Sequence, residues 1–153
     1  MADTGARTCE LFWLLPWWQH GRLCVGCSQE YEDEGQATAR SPEEVVAVVR
    51  RASQDCRDRF GVYTAVSLER WGDPDLWVTA VGERWHFWYL AEDGASSFRS
   101  VGDESAEGST EIIFTDISDI PNAELVSVAV AEVVIREWFE HQRLSNVIRW
   151  RAC

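Results

Sequence analysis

The chain has 153 residues, a formal net charge of −12 and 46% hydrophobic residues, with nine Trp in total. This length favours one domain over residues 1–153, and the hydrophobic content is well above that of a disordered chain. The charge argues against DNA, RNA or an anionic membrane as the direct partner. It favours a basic partner, because opposite charges speed the encounter of two proteins.

The first 35 residues predict two short strands and a polar connection. The apolar run at 11–18 is far shorter than the roughly 20 residues that a membrane-spanning helix needs, and Pro16 interrupts it. Acidic residues before the run, and no small-residue cleavage site after it, make it a poor signal peptide. We therefore interpret it as a buried first strand, followed by a second strand at 22–27 and an acidic connection at 28–35.

A helix is predicted to follow, because its start and end signals are both present. Ser41 is the candidate N-cap, Pro42 occupies the first helical position, and Glu44 completes a capping box. The helix should end before Gly61, since glycine readily adopts the left-handed conformation that closes a helix.

Residues 76–91 are the clearest strand signal in the chain. Large side chains recur at every second position on both sides of the turn at 82–83, which predicts a β-hairpin. The alternating stretch at 62–71 and the turn at 72–75 add a third strand in front of it. Three consecutive antiparallel strands then form a central meander.

The remaining elements complete an α+β fold. We predict strands at 98–101 and 111–115, a polar loop between them, a second helix at about 127–143 and a closing strand at 146–151. An antiparallel sheet of about five to seven strands should therefore carry two α-helices packed on it.

The cysteines and histidines provide no recognisable catalytic or metal-binding signature. Cys24 and Cys27 form a CxxC motif, which suits a redox pair at a helix N-terminus or half of a zinc site. No helix is predicted after Cys27, and the nearby His20 is the one further ligand, so we favour a structural or incidental role. A nucleophilic pair such as Cys56 with His86 has no local pattern in its favour.

We accordingly expect no enzyme activity, no cofactor and no metal. The five cysteines are an odd number without framework spacing, so they should be reduced thiols in the cytoplasm. A small thiol-redox protein using Cys24 and Cys27, or a ligand-binding protein with a Trp-lined pocket, stays open as the alternative.

A protein-binding surface is the function that the polar turns favour. Tryptophans rimmed by carboxylates suit an interface for a basic protein, although such acids are often simply solvated. The candidate residues are two aromatic anchors and seven acids on turns: Trp71, Trp85, Asp73, Asp75, Glu92, Asp93, Asp103, Glu104 and Glu107.

The chain resembles a family of bacterial immunity proteins, immunity family one of the polymorphic toxin systems, most clearly over its last forty or so residues. The resemblance covers residues from about 36 to the end. It is carried by the strand at 111–114, Pro121, Leu125-Val126, the helix end Glu137-Trp138-Phe139 and the final strand at 146–150. The helix start at 41–45 is also similar to that of the family.

The resemblance implies an inhibitor that neutralises a toxin made by the same cell. Toxins found with this family include nucleic-acid-directed enzymes, cytosine deaminases among them, so a zinc-dependent cytosine deaminase is a candidate partner. An enzyme of this kind needs a positively charged groove for its substrate. A protein of charge −12 can occupy such a groove as a mimic of the phosphates and block it.

Overall fold

In the part of the chain that the structure describes, the fold combines two helices with two β-sheets. The structure is a computed structural model that describes residues 8–14, 34–69, 76–91 and 95–153. Helices α1 (Pro42–Phe60) and α2 (Val128–His141) lie on a mostly antiparallel sheet, which confirms the predicted α+β class. Neither helix, nor any other in the described ranges, is long and apolar enough to cross a membrane.

Short strands make up most of the rest of the described residues. In chain order they are β1 (Cys9–Leu14), β2 (Glu34–Ala39), β3 (Tyr63–Thr64), β4 (Val66–Glu69), β5 (Leu76–Val81), β6 (Arg84–Leu90), β7 (Ser97–Val101), β8 (Ser109–Ile113), β9 (Ile117–Pro121), β10 (Val126–Ser127) and β11 (Arg149–Ala152). The 3₁₀ turn Asn122–Glu124 joins β9 to β10.

The strands form a large sheet and a small one. The order in the large sheet is β11-β7-β6-β5-β4-β1-β2, and β10 pairs with the first residues of β6. The predicted hairpin of residues 76–91 is confirmed as β5 and β6, which turn at Gly82 with a φ of 62°. The small sheet has the order β3-β8-β9, in which β3 and β8 are parallel.

The helix boundaries follow from capping. The Ser41 hydroxyl accepts a hydrogen bond from the Glu44 amide at 3.1 Å, and the Glu44 carboxylate accepts one from the Arg40 amide. Gly61 closes α1 in the left-handed conformation with a φ of 84°. Ser127 caps α2 in the same way as Ser41 caps α1. The predicted start and end of the first helix are therefore confirmed.

The main core lies between the helices and one face of the large sheet. Val45 and Val49 of α1, and Ile135 and Trp138 of α2, pack with the inward residues of the central strands. The opposite face carries the small sheet, where Ile112, Phe114 and Ile120 pack against Trp77 and Trp88. Successive side chains of β5 and β6 point to opposite faces of the large sheet. Both faces are buried, because the helices cover one and the small sheet covers the other.

Three strands were not predicted. β2 occupies residues that the sequence left as a connection and an unassigned stretch, β9 follows the predicted strand at 111–115, and β10 is a two-residue strand directly before the second helix. The predicted strand at 62–71 is divided, because β3 pairs in the small sheet and β4 in the large one. The predicted strand at 22–27 lies outside the described residues.

Candidate functional site

Four of the nine predicted binding residues lie within the described ranges: Trp85, Asp103, Glu104 and Glu107. The other five, Trp71, Asp73, Asp75, Glu92 and Asp93, lie outside them, as do Cys24, Cys27 and His20. Among the described residues, the candidate site therefore consists of the loop at 102–108 and the elements that adjoin it.

Trp85 is a core residue. Its relative exposure is 0%, and the Arg50 guanidinium of α1 lies 5.8 Å from the centroid of its ring. Strand alternation turns Trp85 toward the helices, so the expectation that it is an exposed aromatic anchor is wrong. The half-buried tryptophans of this hairpin are Trp77 and Trp88, which are cross-strand partners on the opposite face.

The loop at 102–108 starts at a close backbone approach. The Gly102 amide donates to the Ala123 carbonyl at 2.8 Å, and a Cβ on Gly102 would lie 1.8 Å from the Leu125 oxygen. Asp103 then accepts hydrogen bonds from the Ser105 hydroxyl and amide at 2.6 and 3.0 Å. These bonds hold the pKa of the Asp103 carboxyl below its usual value, since they favour the charged form.

Glu104 is neutralised by the chain itself. Its carboxylate lies 3.2 Å from the Arg149 guanidinium and 3.3 Å from that of Arg151. Both arginines belong to or begin β11, so this double ion pair ties the loop to the edge of the large sheet. Glu104 is consequently the least suitable of the three loop acids for pairing with another protein.

Glu107 leads directly into a group of acids on β8 and β9. The Asn122 side chain donates to the Glu107 carbonyl at 2.9 Å, which holds this end of the loop against the small sheet. Glu111 of β8 and Asp119 of β9 are exposed cross-strand partners. Asp116 is exposed in the turn between these two strands.

We call the five residues Asp103, Glu107, Glu111, Asp116 and Asp119 the acidic surface. No ion pair joins any of them to a basic side chain among the described residues. Glu111, Asp116 and Asp119 were not among the predicted binding residues, although the sequence contains a signal for them. Residues 100–135 contain eight acidic residues and no basic one, and so carry −8 of the net charge of −12.

A cleft of about 380 Å³ adjoins the acidic surface. Asp103 and Glu83 contribute acidic groups to its lining and Arg84 a basic one, while Val130 and Val147 contribute apolar surface. Val147 has a relative exposure of 48%. Such a lining suits an apolar side chain, or the aliphatic part of a basic side chain whose charge reaches the acids.

His86 belongs to a buried polar cluster that joins β6, β7 and the 3₁₀ turn. Its Nε2 lies 2.8 Å from the Glu124 carboxylate, and the Arg99 guanidinium lies 3.7 Å from the other oxygen. Burial lowers the pKa of His86, although the hydrogen bond to Glu124 opposes that shift. We infer a neutral imidazole that donates from Nε2, because a carboxylate oxygen can only accept.

The second buried group with possible reactivity, Cys56, is unsuited to nucleophilic chemistry. Its thiol packs with Val62 and Ile113, and burial raises its pKa to about 12. A thiolate is the reactive form, so this environment opposes it. The described residues also contain no group of three or more His, Cys, Asp or Glu arranged to hold a metal ion.

Comparison with known protein families gives a match over most of the chain. The family model described as "Immunity protein Imm1" matches residues 33–152, a stretch that includes both helices and the whole acidic surface. It leaves out β1, which precedes it. Comparison with curated proteins gives no match.

Proposed function

The chain belongs to the Imm1 family of immunity proteins, and on that premise we propose that it binds a cognate bacterial toxin and neutralises it by covering the toxin's substrate groove. The partner is a basic, nucleic-acid-directed toxin, of which a zinc-dependent cytosine deaminase is the leading candidate. The protein acts in the cytoplasm as an inhibitor, without catalysis and without a cofactor of its own.

The observation that carries this proposal is the acidic surface. Five exposed carboxylates follow one another along the loop at 102–108, β8 and β9, and no described basic side chain pairs with them. Glu104 shows the contrast, because Arg149 and Arg151 already occupy it. Carboxylates without an internal ion-pair partner can accept arginine or lysine from another protein without first breaking an ion pair.

Charge explains why this surface suits a nucleic-acid enzyme. The groove of such an enzyme binds phosphates through basic side chains, and the same side chains attract any other anionic surface. Opposite charges also raise the association rate by orders of magnitude at low salt. A self-protecting cell needs that speed, since free toxin attacks its own nucleic acid.

The proposal is tested by coexpressing the chain with the toxin domain that its neighbouring gene encodes, made catalytically inactive, and measuring the dissociation constant of the purified complex. The double reversal Glu111→Lys/Asp119→Lys removes two acids of the acidic surface. We expect the dissociation constant to rise by about 100-fold at low salt, at roughly 1.4 kcal/mol for each close charge pair. The salt dependence should flatten at the same time.

The matched control is Asp58→Lys/Glu132→Lys, which makes the same change in net charge on the outer faces of α1 and α2. It should leave the dissociation constant within about threefold of the original, because long-range attraction alone is weak. A single-stranded DNA oligonucleotide should compete with the chain for the toxin. Equal affinities of the two double variants, or no competition by DNA, would count against the acidic groove-blocking mechanism.

A further inference from the structure

β9 is an edge strand. Among the strands that the structure describes, it pairs with β8 alone, and its other side faces no strand. Ile117 has a relative exposure of 38%, and Asp119 and Pro121 are exposed as well. An edge of this kind presents backbone N–H and C=O groups that another strand can pair with.

Two hydrogen bonds fix which groups point outward. The Phe114 amide donates to the Asp116 carbonyl at 3.0 Å, and the Asn122 amide donates to the Gly108 carbonyl at 2.9 Å. Bonded pairs alternate along an antiparallel ladder, so Ser118 and Ile120 must form the remaining bonds to β8. The backbone groups of Ile117 and Asp119 therefore point away from β8, to the open edge.

Two further observations, at Ile113 and Pro121, agree with this assignment of inward and outward backbone groups. The Ile113 carbonyl accepts from the Ala65 amide at 2.8 Å, so the cross-strand partner of Ile117 points away from β9, toward the opposite side of the small sheet. Pro121 has no N–H to donate, and its position in the ladder is one that needs none. The open edge thus offers two amides, of Ile117 and Asp119, and the carbonyls beside them.

Charge selects the occupant of this edge. Asp116 and Asp119 lie on or beside β9, and Glu111 is the cross-strand partner of Asp119. A second copy of the chain pairing edge to edge would bring these acids together, and like charges on adjacent strands repel. An extended segment that carries Lys or Arg would meet the same acids favourably.

We propose that β9 receives an extended Lys- or Arg-bearing segment of the toxin as an added β-strand. Main-chain hydrogen bonds to Ile117 and Asp119 hold the segment, and the flanking acids select its charge. This inference rests on the proposed function, since it names how the acidic surface engages the same partner. Ile117 supplies an exposed apolar contact for a residue of the segment on the same face of the small sheet.

Amide hydrogen exchange measured by NMR tests the hydrogen bonds directly, using the inactive toxin domain as the probe. In the free protein the amides of Ile117 and Asp119 should exchange fast, while those of Ser118 and Ile120 should be protected. On binding, exchange at Ile117 and Asp119 should slow by at least about 100-fold, since each amide becomes hydrogen bonded.

A pair of variants at one position separates backbone from charge. Asp119→Asn removes the charge and keeps the outward N–H, whereas Asp119→Pro removes both at a position where the ladder to β8 needs no N–H. We expect Asp119→Pro to bind the toxin at least about tenfold more weakly than Asp119→Asn, with both variants retaining the native pattern of NMR amide shifts.

The outcomes distinguish the two proposals. If the original chain binds the toxin but Ile117 and Asp119 exchange as fast as before, strand addition is overturned and the proposed function stands. If the original chain does not bind the toxin, the proposed function fails, and strand addition with it. Slowed exchange at Ile117 and Asp119, with unchanged exchange at the exposed edge of β11, supports the added strand.

Discussion

His86 gives the protein a built-in dependence of stability on pH. Its side chain is 1% exposed and its Nε2 donates to Glu124 at 2.8 Å. Burial lowers the pKa of His86 in the folded state, whereas the unfolded chain exposes a histidine of ordinary pKa, near 6.5. The unfolded state therefore takes up the proton first as the pH falls.

We predict that the free energy of unfolding falls as the pH drops below about 6.5, by at most about 1.4 kcal/mol per pH unit from this one residue. The contribution of His86 to stability is fully present above the pKa that it has in the unfolded state. It is lost as the pH falls toward the lower pKa that His86 has in the folded state. Urea unfolding between pH 7.5 and 5.5 measures it. His86→Gln keeps a donor for Glu124 but does not titrate, so its curve should lose this slope. Equal slopes in both proteins would contradict the assignment.

Phe114 joins the two sheets. Its ring lies 5.0 Å from that of Trp88, 5.9 Å from that of Trp77 and 6.1 Å from that of His86, each at a steep interplanar angle. Edge-to-face contacts of this kind add to the free energy of burial. The turn between β8 and β9 thereby anchors the small sheet, and with it the acidic surface, on the central hairpin.

Phe114→Ala should lower the free energy of unfolding by about 3–5 kcal/mol, because it leaves a cavity between the sheets. Phe114→Leu should lower it by less, since most of the volume is kept. Chemical denaturation checks both values. At temperatures where Phe114→Leu stays folded, its toxin affinity should be close to that of the original chain. A change of under about 1 kcal/mol for Phe114→Ala would mean that the small sheet is held by other contacts.

The elements with a strong pattern could be predicted from the sequence, and those without one could not. The hairpin at 76–91 has large side chains at alternate positions, and α1 carries a cap, a proline and a glycine at the expected places. β2 consists of small and polar residues, and β9 is interrupted by Asp119 and ends in Pro121. Their strand state depends on pairing with β1 and β8, which a local pattern does not contain.

The same reason limits what the sequence says about the site. Asp103, Glu104 and Glu107 are readable as loop acids, but only the fold brings Arg149 and Arg151 to Glu104. Trp85 lies just past a turn, a position that favours the surface, but its pairing with Ala80 places it on the helix-covered face. Glu111 and Asp119 are eight positions apart in sequence, and their register alone makes them neighbours.

At the scale of the whole molecule, charge is distributed very unevenly. Residues 100–135 carry −8, while the rest of the chain carries −4, because all of its basic residues lie outside that segment. Helix α1, by contrast, carries both acids and arginines, and pairs such as Asp55 with Arg59 form within the helix. Mutual repulsion on the acidic surface destabilises the free protein, and the basic partner that we propose would relieve it.

Stability and binding should therefore respond in opposite directions to the same substitution. Glu111 and Asp119 are like charges directly across from each other, an arrangement that destabilises a strand pair. Glu111→Lys converts the repulsion into an attraction. We expect it to raise the free energy of unfolding by about 0.5 kcal/mol at low salt. The same variant should bind the toxin about tenfold more weakly.

The gain in stability of Glu111→Lys should depend on the salt concentration. At about 0.5 M salt the gain in stability should disappear, because exposed charges are screened over a few ångströms. Glu132→Lys on α2 makes the same change in net charge and has no cross-strand acid opposite it. Glu132→Lys should change both the free energy of unfolding and the toxin affinity by less than Glu111→Lys does. If Glu111→Lys lowered both the free energy of unfolding and the toxin affinity, Glu111 would make a structural contact that stabilises the fold. The acids of β8 and β9 would then not favour binding at the expense of stability.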